Sequence, residues 1–328
     1  MREQSSATDR STVTAGLVLG ALGVLAFSMS LPATRVAVRE LDPWFVAFGR
    51  AAGAAVLAAA YLRAVRAPRP TRAQWRRLSV VALGVVAGFP LFTSLALTSQ
   101  TAAHGAVVIT LLPAMTAIVA AARAHERPPL AFWLAGGGGL AAVLVFLGTT
   151  GAVHGSLGSG DLHLLAAVAL CAAGYAEGGA LARNLGGART ICWALLLALP
   201  ATLPITLVAL AGRAPHAGVH GWAAFGYLTA VSMFLGFFAW YAGLARGGIA
   251  HVGQIQLAQP VLTLLWSGLL LGEPVPAASI GAAVVVLGCV VLTQRTRAAG
   301  HVRRVSLHHS DGVPVPASAR SGTRTPEA

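Results

Sequence analysis

Residues 101–129 read TAAHGAVVITLLPAMTAIVAAARAHERPP, and residues 248–276, displaced by 147 positions, read GIAHVGQIQLAQPVLTLLWSGLLLGEPVP. Each stretch opens on a His near the start of an apolar run, carries a Pro in its interior and closes on a Glu followed three residues later by Pro. At about 20 apolar residues, each run is the length that crosses a bilayer as a helix. The same displacement lays Trp75 on Trp222, His104 on His251, Pro113 on Pro260, Glu126 on Glu273 and Pro129 on Pro276. Matches of Ala or Leu mean little in so apolar a chain. The Trp, His, Pro and Glu coincidences are the informative ones, and they point to an internal duplication.

Working outward, ten apolar runs emerge between charged or Pro/Gly breaks: Val13 to Leu31, Pro43 to Leu62, Trp75 to Leu97, Thr101 to Ala122 and Leu130 to Thr149, then Leu162 to Ala182, Thr190 to Ala211, Trp222 to Leu244, Gly248 to Leu271 and Pro276 to Thr293. With 56% hydrophobic and only 10% charged residues among 328, water alone cannot be the solvent. The expected fold is an all-α integral membrane protein with ten transmembrane helices. A duplicated unit of five spans crosses an odd number of times, so its second copy must run with opposite polarity. That makes two inverted five-helix repeats, residues 13–149 and 162–293, the plan of many secondary transporters. Residues 150–161 are expected as an external linker, 1–12 as a cytoplasmic tail and 294–328 as a disordered basic cytoplasmic tail, rich in Ser, Pro and Arg.

Orientation follows from arginine, because cytoplasmic loops keep the excess of positive charge. Arg63, Arg66, Arg69, Arg72, Arg76 and Arg77 crowd the second connection, which is therefore placed inside. Nineteen of the 23 arginines then fall on the inner side, against Arg35, Arg39 and Arg213 outside, with Arg50 within a span. Both termini are expected in the cytoplasm, in the cytoplasmic membrane. The first run continues into polytopic sequence without a cleavage signature, so no removable signal peptide is expected.

Composition also excludes classes of function. The chain has no Lys, hence neither the Lys of a phosphate-binding loop nor a Schiff base, and ATP-driven pumping by this chain is not expected. The +13 charge is explained by membrane orientation, leaving no folded basic face for nucleic acid. Cys171, Cys192 and Cys289 lie singly in apolar segments, so neither disulfide nor metal is expected, and no cofactor. Gly136 to Gly139 lies mid-span without the strand-then-helix context of a nucleotide loop and reads as close helix packing.

From Val13 to Thr293 the chain resembles the drug/metabolite transporter superfamily in its ten-helix form with two tandem EamA-type domains. The resemblance rests on Ala96 to Pro129, with Pro113 and His125-Glu126-Arg127, and on Gly243 to Pro276, with Pro260 and Leu271-Gly272-Glu273. His125 stands where a Gly before the Glu is usual. The resemblance implies a carrier that exports or exchanges small metabolites without ATP through a cavity between the repeats, and it is nearly silent on the solute.

Several residues are candidates for that path. At 100° per residue Gln256, Gln259, Thr263 and Ser267 share one arc of an otherwise apolar helix, either as a cavity wall or as interhelical hydrogen bonders. Their counterparts Ile109, Leu112, Thr116 and Ala120 are mostly apolar, which suits an amphipathic solute. Pro113 and Pro260 strand the carbonyls of Ile109 and Gln256, giving either hinges or the ordinary bends of spans. Glu177, beside Tyr175, is the carboxylate well inside a span, and proton coupling, substrate contact and snorkelling to the inner interface all suit it. Arg50 reads as a cavity cation for a carboxylate or as an outward snorkeller; its helix position leaves an axial gap of about 12 Å to Glu177, too long for an easy pair. His104 and His251 are further candidates for proton coupling. Trp240 and Tyr241 fit either an aromatic belt or a cavity lining.

The function these features predict is secondary transport, by alternating access and with proton coupling in view, of a small organic metabolite, with the lipid bilayer as the other partner and a homodimer as one assembly open to it. A receptor or scaffold is the alternative from another class. An intramembrane enzyme finds no nucleophile, His-Glu-x-x-His or aspartate-pair motif to support it.

Overall fold

The computed structural model describes residues 2–123, 129–151, 158–212, 215–247, 255–289, 291–292 and 295, and their side chains except at 2–13, 146–151, 245 and 247. Seven helices are long and apolar enough to cross a membrane: α1 (Thr14–Glu40), α2 (Phe45–Ala64), α3 (Arg72–Ser99), α4 (Ala102–Arg123), α6 (Ser159–Leu185), α7 (Gly187–Gly212) and α8 (Val219–Leu244). Three apolar helices are shorter as described: α5 over Leu130–Val145, α9 (Ala258–Leu271) and α10 (Ala277–Cys289). The protein is thus nearly all helical among the described residues, and a helix stands at each apolar run.

Several boundaries differ from expectation, each for a local reason. The first run was expected to stop at Leu31, before Pro32. Instead the helix turns at Met29, restarts at Ser30 with Pro32 in its first turn, and continues to Glu40. Proline is tolerated there because its missing N–H would lack a helical partner anyway. Arg35 and Arg39 consequently ride on α1 and not on a loop. The backbone is also helical from Arg2, so residues 2–12 extend the first helix where a tail was expected. The third helix begins early because Thr71 and Gln74 form a reciprocal capping box. Asp161 accepts the Gly158 amide and starts α6 at Ser159, which shortens the expected linker. Of the expected C-terminal tail, all but Arg295 lies outside the described residues.

Three spans contain a wide π turn: Phe45–Gly49 in α2, Ala82–Gly88 in α3 and Tyr227–Leu235 in α8. Such turns are rare and recur at functional sites. Displaced by 147, Ala82–Gly88 falls on 229–235, within the α8 turn. The breaks in α4 and ahead of α9 match similarly. Helix is interrupted at Thr110–Leu111 and at Gln256–Leu257, a few residues ahead of Pro113 and Pro260. The Gln256 carbonyl, deprived of an amide by Pro260, instead accepts from Gln259 N at 3.0 Å.

The packing repeats the same relationship. α1 packs on α8 as α6 packs on α3; α4 packs on α6 as α9 packs on α1; α2 packs on α8 as α7 packs on α3; α2 meets α7, and α4 meets α9. Moving every label by five turns this set of pairs into itself. Small residues permit the closest approaches: a Cβ on Gly84 would stand 2.3 Å from the Leu170 carbonyl oxygen, and one on Gly243 2.6 Å from the Gly20 nitrogen. The span-length helices show apolar exposed side chains such as Val56, Leu83 and Val208, as bilayer-facing surface should.

Candidate translocation site

Charged side chains gather at the two ends of the bundle. At one end Glu177 of α6 is clamped between Arg77 of α3, whose Nε donates to Oε2 at 2.7 Å, and Arg123 of α4, which donates to Oε1. At the other, Asp161 at the start of α6 meets His104 Nε2 at 2.8 Å and accepts from Gln100 Nε2 at 3.2 Å. There too Glu273, just past α9, accepts the Ala103 amide at 3.1 Å and lies 3.7 Å from Arg35 Nε of α1. The start of α3, the end of α4 and the C-terminal half of α6 therefore share one face. The ends of α1, α3 and α9 and the starts of α4 and α6 share the other. The Glu177 clamp was not foreseen; Arg77 and Arg123 entered the sequence reading only as loop charges. The capping box at Thr71-x-x-Gln74 was the available signal, since a helix beginning at Arg72 carries Arg77 more than a turn inside it.

The polar stripe divides in two. Thr263 Oγ1 donates to the Ser28 carbonyl at 2.8 Å, the acceptor that Pro32 leaves without an amide. Trp266 Nε1 donates to Ser28 Oγ at 2.9 Å, and Ser267 Oγ to the Thr263 carbonyl at 2.8 Å. Thr263 and Trp266 thus belong to the α1–α9 joint, and Ser267 is spent on a carbonyl of its own helix. Ser30 and Ser232 share a hydrogen bond at 2.7 Å between α1 and α8 in a related way. Gln256 Nε2 and Gln259 Oε1 differ: both are buried without a partner. Of the counterparts in α4, Ile109 and Leu112 are buried apolar contacts, and Thr116 Oγ1 donates back to the Leu112 carbonyl.

Arg50 sits at the junction between the π turn of α2 and its α-helical remainder, 2% exposed, and makes no ion pair or hydrogen bond among the described residues. It does not meet Glu177. Trp240 and Tyr241 are buried inside the bundle, at 3% and 1% exposure, which removes the aromatic-belt reading. Trp240 backs onto Gly23, and Tyr241 fills a notch left by Gly178 and Gly187. Tyr175 is half-buried and meets Phe237 edge-on at 6.2 Å. His104 lies in the Asp161 cluster, its amide capped by Thr101; His251 lies outside the described residues. Among the described residues no cluster of three His, Cys, Asp or Glu is set to hold a metal. Cys171 and Cys192 are buried free thiols.

A sequence profile of the EamA-like transporter family matches residues 14–148 and matches again over 158–294. The chain belongs to the EamA-like transporter family. Two relatives are similar over most of their length. The uncharacterized transporter YdeK of Bacillus subtilis (strain 168) is 43% identical over 282 residues, covering 86% of this chain and 98% of its own. The uncharacterized protein PA1977 of Pseudomonas aeruginosa is 32% identical over 297 residues, covering 87% and 94%. A solved crystal structure superposes with a TM-score of 0.58 at 20% identity, over 86% of this chain and 98% of that one, and shows likeness of fold. Membership makes the protein a multi-pass membrane transporter, and the double match falls on the two halves that the 147-residue displacement defines. For an EamA-like chain, the unspent amides of Gln256 and Gln259 and the bare Arg50 are among the interior polar groups that packing does not consume.

Proposed function

We propose that this EamA-like chain is a secondary transporter that exports or exchanges a small organic metabolite across the cytoplasmic membrane by alternating access. The carrying observation is the self-matching set of helix pairs, together with the π turns of α3 and α8 that coincide under the same displacement. Two five-helix units of opposite polarity give ten spans with both termini inside. The end clusters support that alternation: the contacts that unite Asp161, His104 and Glu273 on one face and Arg77, Arg123 and Glu177 on the other require α4 and α6 to run in the same direction. Between the clusters Arg50, Gln256 and Gln259 serve as substrate groups, Tyr175, Trp240 and Tyr241 shape the inner wall, and the breaks ahead of Pro113 and Pro260 act as hinges. Glu177 joins three helices as an inner lock. His104, which meets Asp161 and so ties α4 to α6, is the residue assigned to proton coupling. The exposed apolar faces meet lipid, or a second copy in a homodimer.

The test is flux into proteoliposomes of the purified full chain without ATP, using a labelled panel of amino acids, nucleosides, apolar carboxylates and cationic dyes. Saturable uptake of a solute, accelerated by the same solute loaded inside, is expected. Uptake no faster than in empty liposomes across the panel would remove the transport reading.

A further inference from the structure

Five acidic side chains lie among the described residues, and each is engaged away from Arg50. Glu40 accepts the Gly218 amide, Asp42 accepts the amides of Trp44 and Phe45, and Asp161, Glu177 and Glu273 belong to the end clusters. Glu3, Asp9, Glu126, Asp311 and Glu327 complete the ten carboxylates, and the arginine bias assigns all five to the inner side. Arg50, by contrast, stands only about 7.5 Å along the axis from the outer start of α2. A guanidinium this buried is costly without a counter-charge, and such groups inside a membrane are retained for function.

A second observation comes from the neighbouring helices. The π turn Phe45–Gly49, directly ahead of Arg50, is flanked by α3 and α7. Each carries a fully buried hydroxyl without a partner, Ser94 Oγ and Thr202 Oγ1. The usual fate of a hydroxyl in these helices is different: Thr93, Thr206 and Thr229 all donate to the carbonyl four residues back. By helical rise Ser94 lies about 7.5 Å and Thr202 about 15 Å from the outer ends of their helices, bracketing the depth of Arg50 and a side chain's reach below it. The surroundings are apolar and aromatic. Phe45 stacks on Phe225 at 5.0 Å, and Trp222 meets Phe225 edge-on at 5.8 Å.

We infer that Arg50, with the hydroxyls of Ser94 and Thr202, is an anion-docking site, and that the transported solute is a monocarboxylate carrying an apolar body. This deepens, and rests on, the transporter reading. One planar guanidinium matches one carboxylate in a two-bond fork. A phosphate dianion would call for a second cation, and none of the other described spans places a free one at this depth.

The experiment is a thermal-shift titration of the purified full chain with benzoate and hexanoate, each against its neutral amide, in wild type, Arg50→Met, Arg50→Lys and the Ser94→Ala/Thr202→Val pair. Wild type is expected to melt higher with the carboxylates and to ignore the amides. Arg50→Met should lose roughly tenfold to a hundredfold in carboxylate affinity. Without ligand it should melt higher than wild type, because Met occupies the same space without a buried charge. If Arg50→Met does not fold, Arg50→Lys supplies the answer: it keeps the charge, loses the fork, and should still prefer carboxylate to amide but more weakly. The hydroxyl pair should bind several-fold more weakly at unchanged stability. Equal shifts by carboxylates and amides, no shift by either, or an unaltered carboxylate shift in Arg50→Met would overturn the inference. A neutral or cationic panel solute carried alike by wild type and Arg50→Met would sink the anion site and leave the transporter reading standing. Carboxylate binding through Arg50 with no flux of any solute would do the reverse.

Discussion

At the residue scale, the same polar side chain has one of two employments, and its hydrogen bonds tell them apart. Thr263 is occupied by the Ser28 carbonyl that Pro32 exposes, whereas Gln259 keeps a buried oxygen without a donor. Thr263→Val should therefore cost about 0.6 to 2 kcal/mol of stability, the range for interhelical hydrogen bonds in membranes, and leave ligand affinity unchanged. Gln259→Leu should do the opposite. Its thermal stability should hold or rise, and affinity for the transported solute should fall by a several-fold to hundredfold factor, from a lost hydrogen bond of about 1 to 3 kcal/mol. Paired melting curves and binding titrations check both; a Gln259→Leu protein that melts lower and binds normally would assign the glutamine to packing. Sequence alone showed the stripe but could not divide it, because the acceptor that claims Thr263 is created by a proline more than two hundred residues away. Glu177 makes a similar point. Its isolation among apolar residues was legible, while its neutralisation depends on Arg77 and Arg123 arriving from two other helices.

At the scale of elements, apolar runs were readable because the bilayer fixes span length, and most of them coincide with a described helix, seven of which are long enough to cross a membrane. What the runs could not show was where the helices depart from straightness. The π turns of α2, α3 and α8 carry no composition signal, although a Gly closes or follows each of them. Gly84 explains one of them. A Cβ there would stand 2.3 Å from the Leu170 backbone oxygen and 3.0 Å from the Gly174 nitrogen, so the α3 turn lies backbone-to-backbone on α6. Gly84→Ala should cost more than the roughly 1 to 3 kcal/mol of ordinary overpacking, since a backbone atom cannot rotate away. Gly179→Ala, whose Cβ would enter open space, should be neutral or stabilising by up to about 1 kcal/mol from helix propensity. Folded yield and melting temperature in detergent distinguish the two; equal behaviour would mean that the α3–α6 contact is looser than described.

At the scale of the whole molecule, an ionic cluster stands at each end of the helix bundle, and the proposed function uses the two as locks that open one face while the other stays shut. The topology has its own check. A membrane-impermeant thiol reagent applied from outside should modify His216→Cys, between α7 and α8, and spare Arg69→Cys, between α2 and α3; the reverse pattern would invert the orientation. The central claim is alternation between the faces, and spin-label distances test it most directly without knowledge of the solute. One label pair at Arg76→Cys and Arg183→Cys reads the inner ends of α3 and α6, and another at Arg39→Cys and Ala277→Cys reads the outer ends of α1 and α10. Breaking the inner lock with Glu177→Gln should lengthen the inner distance and leave the outer one short, and Glu273→Gln should do the reverse. If both distances lengthen together, or neither responds to either substitution, the protein does not alternate between these two locks.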